Sequence, residues 1–234
     1  MNSNKKTAKI VGVLFITATV AAVLGTVVFI GPILNAPDYL TNISANENRL
    51  LIGVLFELIT AVAVAGTGIA LYPIFREHNE ALALGYAGGR IIEGVFIVVT
   101  AIGALSLLTL SRAYVAGSPD TSNFQTLGTL LLAVRDWNLL LGPNIVLGPA
   151  ALMLSYLFYQ SRLVPRWLSV WGLVGATLSL AAGLLAMFGL VALSSTISFF
   201  LVLPIALNEI VLAVWLIVKG FNSSAIASES AKTV

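Results

Sequence analysis

The chain has 234 residues, 59% of them hydrophobic and 9% charged, with a formal net charge of +2 and no cysteine. With a mean hydropathy of +1.00, it is excluded as a soluble domain and assigned to a bilayer. Disulfides, thiolate metal sites and cysteine nucleophiles are also excluded. So is a nucleic-acid surface, since the charge is small and no basic run is interleaved with aromatics.

A helix needs about 20 mostly apolar residues to cross a hydrocarbon core about 30 Å thick. Six stretches qualify, at 10–34, 50–74, 82–110, 124–158, 167–190 and 197–219. They predict an all-α, polytopic transmembrane bundle over 1–220, followed by a polar, disordered cytoplasmic tail over 221–234. A transmembrane barrel would need short alternating segments, and continuous runs such as AVAVAGTGIAL argue against one. The first stretch follows Lys5, Lys6 and Lys9, but its apolar run far exceeds the about 7–15 residues of a signal core and is read as an uncleaved helix.

The first and fifth spans carry no charge in their interiors, whereas the others do. The second holds Glu57, the third Arg90 and Glu93, the fourth Arg135, Asp136, Asn138 and Asn144, and the sixth Asn208 and Glu209. An Arg or Asp at a helix centre costs at least about 2.5–3.5 kcal/mol, so these groups are expected to face the bundle interior or water. At 1.5 Å per residue, Glu57 lies about 12 Å from the outer end of its span, and Asp136 and Glu209 about 18 Å from theirs. Glu93 lies about 14 Å from the inner end of its own. That shared depth predicts one polar layer, and all nine residues are candidates to bind a ligand or ion.

Arg90 and Glu93 stand three residues apart and can pair on one helix face. Arg135 and Asp136 are adjacent, about 100° apart around the helix, and must seek partners on other helices. Four acids against two arginines leave two carboxylates over. Glu57 and Glu209, with no cation on their own helices, are the candidates to take up a proton or a cation. Pro143 and Pro149 displace the carbonyls of Leu139 and Ile145, and Pro204 that of Phe200, which predicts kinks in the fourth and sixth helices. Broken helices line binding sites in transporters, although proline is also ordinary in membrane helices.

The stretches VRDWNLLLGPNIVLGPAALMLSYLFYQSRLVPRWLSVWGLVGA and LNEIVLAVWLIVKGF, with GGRIIEGVF as a third element, carry a resemblance. Over nearly its whole length the chain resembles the bacterial membrane proteins catalogued as domain of unknown function 4386. The resemblance implies a six-helix bacterial membrane protein and brings no catalytic residue with it. Catalytic residues therefore stay unassigned, and no metal or cofactor is expected. His78 is the sole histidine and is read as a solvated loop side chain rather than a zinc ligand. There is no phosphate loop or dinucleotide fingerprint. Gly85, Gly89 and Gly94 are read as a packing surface. Inverted three-helix halves would favour a transporter, but GGRIIEGVF and IALNEIVLAV share little beyond a glutamate.

Three functions follow from a buried polar layer. The first is a structural or partner-binding bundle whose charges fix helix register, placed slightly ahead, with membrane lipids as its only assigned partners. The second is a transporter or sensor of a small cation, a proton or an amphipathic ligand. The third is an intramembrane enzyme acting on a lipid-like substrate by carboxylate acid–base chemistry.

Sidedness follows from positive charge. Lys5, Lys6, Lys9, Arg76, Arg162, Arg166, Lys219 and Lys232 fall on one side, and only Arg49 and Arg112 on the other, so both termini are expected in the cytoplasm of a bacterial cell. Asn46→Cys is then expected to react with an impermeant thiol reagent in intact cells, and Asn79→Cys to react only after permeabilisation. The reverse pattern refutes the assignment.

Overall fold

The structure, a computed structural model, describes residues 3–117 and 121–222. Apart from Phe221 and Asn222, the expected tail lies outside the described residues, as do the tip of the loop at 118–120 and the first two residues. The described residues form helices and connecting turns, with no strand. Seven helices are used below: α1 Asn4–Leu34, α2 Tyr39–Ala45, α3 Glu47–Phe75, α4 Glu80–Val115, α5 Asn123–Ser161, α6 Arg166–Met187 and α7 Thr196–Val218. All but α2 are long and apolar enough to cross a membrane. Their outward surfaces carry exposed valine, leucine, isoleucine and phenylalanine along their lengths, as lipid contact requires. The chain is thus a multi-pass membrane protein.

The six long helices form a closed ring in which each packs on the next and α7 packs on α1. Gly220 lies beside Ala8 and Lys5, so both ends of the described chain meet at one end of the bundle, here the terminal end. A core of Phe15, Leu71, Phe75, Tyr86, Leu157, Phe158 and Leu216 fills that half. Phe221 is part of it, packed against Phe158 at 6.4 Å between ring centroids.

The helices differ in length, and that difference organises the other, distal end. With 22 and 23 residues, α6 and α7 span about 33–35 Å, close to the hydrocarbon thickness. The 36 residues of α4 and 39 of α5 run to about 54 and 58 Å. The surplus of α3, α4 and α5 projects beyond the ends of the shorter α6 and α7. There α2 closes over it, burying Ile33, Ile43, Leu50, Leu107 and Leu108. The Ser44 and Ser111 hydroxyls, 2.6 Å apart, bond α2 to α4, and Ser111 also donates to the Leu40 carbonyl. Arg112 pairs with Glu47, and Arg49 donates to the Val28 carbonyl at 2.7 Å.

In the middle of α5 a proline is accommodated by local repair of the hydrogen bonding. In α5, residues Leu141–Val146 form a π-helical segment around Pro143, a wider turn of the kind that absorbs an irregularity in a helix. The carbonyl that Pro143 leaves without its usual donor is that of Leu139, and Asn144 Nδ2 donates to it at 3.0 Å. A second π-helical segment, Val23–Ile30, lies in α1 just before Pro32; the carbonyl that Pro32 leaves without its usual donor is that of Val28, to which Arg49 Nη2 donates at 2.7 Å. Pro204 sits inside the continuous helix α7.

Small residues set the closest helix contacts. Gly85 and Gly89 face Met153 and Ala150 of α5, whereas Gly94 faces the Ala61 carbonyl of α3. At Gly68 on the α3–α4 seam, an added Cβ would stand 3.0 Å from Ala87 Cα and 3.2 Å from its carbonyl oxygen, and at Gly88 it would meet nothing within 4 Å. Gly68→Ala is therefore expected to cost about 1–3 kcal/mol by forcing the helices apart. Gly88→Ala should be neutral or stabilising by up to about 1 kcal/mol. Thermal unfolding of both variants in detergent checks the contrast, and equal midpoints refute the seam.

Candidate functional site

The charges buried among the spans fall into two clusters rather than the single expected layer. Depth counted from helix ends assumed that all spans end in common planes, which the overhang of α3, α4 and α5 prevents. Along α3, Glu57 and Thr67 of the separate clusters are ten residues apart, or about 15 Å. On α4, Glu93 and Thr100 are seven residues apart, or about 10 Å.

The distal cluster is a sealed ion pair. Arg135 of α5 binds both carboxylate oxygens of Glu57 on α3, with Nη1 at 3.2 Å from Oε2 and Nη2 on Oε1. Arg135 Nη1 also donates to the Thr100 carbonyl at 2.8 Å, and Thr26 Oγ1 of α1 donates to Glu57 Oε1 at 3.4 Å. Both side chains are 3% exposed. The expectation that Glu57 lacks a countercharge is thus corrected: its cation comes from a helix 78 residues away in sequence.

Asp136 is corrected too. The helix rotation that turns Arg135 inward turns its neighbour outward, so Asp136 is exposed on the flank beside Trp137 and makes no hydrogen bond or ion pair with a described residue. Arg135 packs on Gly103, 23 residues beyond Glu80 and so about 35 Å from the terminal end of α4. That distance exceeds the about 30 Å thickness of a hydrocarbon core.

The second cluster is built around Arg90 in the middle of α4. Arg90 Nη1 donates to Glu93 Oε2 at 3.1 Å, as the spacing predicts, and lies 3.8 Å from Glu209 Oε1 on α7. Arg90 Nε donates to Thr67 Oγ1 of α3 at 3.2 Å, which in turn donates to the Val64 carbonyl at 2.7 Å. Tyr86, one turn before Arg90, donates its hydroxyl to the same Thr67 oxygen at 3.2 Å. The guanidinium carbon stands 5.6 Å from the Phe15 ring centroid on α1.

Thr67, Tyr86 and Phe15 were not among the candidates. A usable signal existed for Tyr86, which shares the helix face of Arg90 and Glu93 at spacings of four and seven residues. Thr67 and Phe15 join only through tertiary packing.

This cluster borders a cavity of about 210 Å³ enclosed by α1, α3, α4, α5 and α7. Its polar floor is Arg90, Glu93 and Glu209; Ala18, Val64, Ile97, Pro143 and Leu147 are among its apolar walls. It reaches the bundle flank at Val23, half of whose surface is exposed. There the Val23–Ile30 segment packs on α3 and has no substantial contact with α7. Glu209 Oε1 is buried and without a hydrogen-bond partner among the described residues.

The three asparagines sit elsewhere. Asn138 donates to the Val134 carbonyl of its own helix at 2.7 Å and Asn144 to that of Leu139. Asn208 donates to the Leu168 carbonyl at 2.9 Å, tying α7 to α6. All three serve backbone carbonyls, and none lines the cavity.

Fold and cluster together define a polytopic helical membrane protein with a buried ionic site opening on an intramembrane cavity. The chain belongs to the family described as a domain of unknown function (DUF4386), which matches residues 10–220. No curated protein and no solved structure matches it.

Arg135→Ala strands Glu57 in the protein interior and is expected to cost about 3–5 kcal/mol. Replacing both partners by Glu57→Leu with Arg135→Met should recover most of the loss, and Asp136→Asn should stay within about 0.5 kcal/mol of wild type. Thermal unfolding in detergent measures all three. An unchanged Arg135→Ala midpoint would show the pair to be solvated.

Proposed function

We propose that the chain is an intramembrane binding protein for a small amphipathic molecule with a cationic, hydrogen-bond-donating head, of the amine type, acting as a sensor or carrier. The observation that carries this reading is Glu209 Oε1, a buried carboxylate oxygen without a hydrogen-bond donor among the described residues, on a largely apolar cavity that Arg90 and Glu93 also line. Two carboxylates face one guanidinium there. Arg90 makes its close contact with Glu93 and stands 3.8 Å from Glu209, so Glu209 Oε1 lacks a hydrogen-bond donor and the two carboxylates lack a second positive charge. An ammonium head supplies both.

Apolar walls and a rim on the bundle flank at Val23 suit a ligand whose hydrocarbon part arrives through the bilayer. A volume of about 210 Å³ is below the about 300–1,000 Å³ of pockets that enclose drug-sized ligands, so a head and short chain fit. The sealed Glu57–Arg135 pair supports the structural role for the other cluster. The reading takes the terminal end as the cytoplasmic side of a bacterial membrane, in keeping with the cations gathered there.

Hexylamine and hexanol, matched in chain length, test the ligand class on protein in lipid nanodiscs. Hexylamine is expected to raise the unfolding midpoint saturably, and hexanol is not. Glu209→Gln should fold and lose the response, and Ala18→Phe should lose it by filling the cavity while leaving the charges in place. An equal response to both probes, or a hexylamine response that survives Ala18→Phe, refutes the proposal.

A further inference from the structure

A second cavity, of about 520 Å³, opens at the terminal end between the α5–α6 connection and the chain following α7. It is independent of the intramembrane cavity and of the ligand proposed there. Arg162, Arg166 and Lys219 line it, and among the described residues no carboxylate does. None of the three forms an ion pair with a described residue. The distal cations behave differently: Arg112 is paired with Glu47, and Arg49 is bound to a carbonyl.

The walls are tied together rather than splayed. Asn222 N–H donates to the Leu163 carbonyl at 2.9 Å, joining the two chain segments that form the concavity. Arg166 is held over the Tyr159 ring at 5.1 Å. Gly220 takes a left-handed φ of 73°, which glycine bears without strain, but Arg162 does so as well, at 56°, a conformation that disfavours any side chain with a Cβ. The turn thus places a guanidinium at the cavity where a glycine would have turned the chain more easily. Trp215 and Phe221 supply the apolar part of the lining.

Three cations that line one concavity without an ion pair among the described residues call for an anion with several acceptor oxygens. A guanidinium presents a planar fork to two phosphate oxygens, and an ammonium adds a point charge. The volume lies within the about 300–1,000 Å³ typical of small-molecule sites. The cavity lies at the ends of α5, α6 and α7, all long and apolar enough to cross a membrane, and basic pockets between membrane helices bind phospholipid head groups. We infer that this cavity binds a phosphate group, presented by an anionic phospholipid or as soluble phosphate.

Native mass spectrometry of the full chain, titrated with phosphatidylglycerol and with phosphatidylcholine, tests the inference, with inorganic phosphate as a competitor. Phosphatidylglycerol is expected to bind in preference. Arg162→Gly, which keeps the left-handed backbone, and Arg166→Gln and Lys219→Gln should each weaken it about fivefold. Arg76→Ala, at the same end but outside the cavity, should leave it unchanged. Unfolding midpoints of each variant separate lost binding from lost folding.

Preferential lipid binding that millimolar phosphate does not displace supports the lipid as source. Displacement together with stabilisation by phosphate alone supports the soluble anion. No preference for phosphatidylglycerol and no effect of phosphate overturns the inference, as does an equal loss in Arg76→Ala.

Discussion

The central constraint is a guanidinium in the middle of a membrane bundle. An arginine side chain keeps its charge in a protein interior, so Arg90 must be surrounded by groups that receive it. Those groups come from four of the six spans: Phe15 from α1, Thr67 from α3, Glu93 from its own helix and Glu209 from α7. Closing the ring between α7 and α1 brings Phe15 and Glu209 to the same side chain. The register of α3 on α4 is held to the same end by Gly68, whose lack of a side chain lets the seam close beside Arg90.

The two charge clusters solve the burial problem in opposite ways. Glu57 and Arg135 meet through two oxygens and two nitrogens, with Thr26 and the Thr100 carbonyl taking up remaining capacity. Neither side chain keeps a buried atom without a hydrogen-bond partner among the described residues, and the pair joins α3 to α5. Around Arg90 the accounting does not close, because Glu209 retains an oxygen without a donor and the cluster borders open volume. A complete network holds helices in place, whereas an incomplete one beside a cavity is suited to a ligand. The structural and binding readings of the buried charges therefore apply to different residues of one protein.

The polar residues around Pro143 show how local repair can resemble a site. Asparagine in a hydrophobic run invites a functional reading, yet Asn144 restores a donor to the carbonyl that Pro143 deprives, one residue away from the irregularity. Asn208 likewise bonds the Leu168 carbonyl across to α6. In hydrocarbon an unsatisfied carbonyl has no water to turn to, so side-chain amides near proline or at close helix contacts are drawn to the backbone first.

The sequence by itself determined the membrane class, the six apolar helices and the Arg90–Glu93 pair, because these depend on composition, run length and spacing along a single helix. It also marked Pro143 and the carbonyl of Leu139, since a proline acts on its own turn. Tertiary structure decided everything that depends on how far one helix slides past another. Unequal helix lengths separated Glu57 and Arg135 from Arg90, and helix rotation turned Asp136 out to the flank. The closure of α7 against α1 set Glu209 and Phe15 around Arg90. Spacing within a helix is local and readable, but depth and azimuth between helices are set by packing of the whole ring.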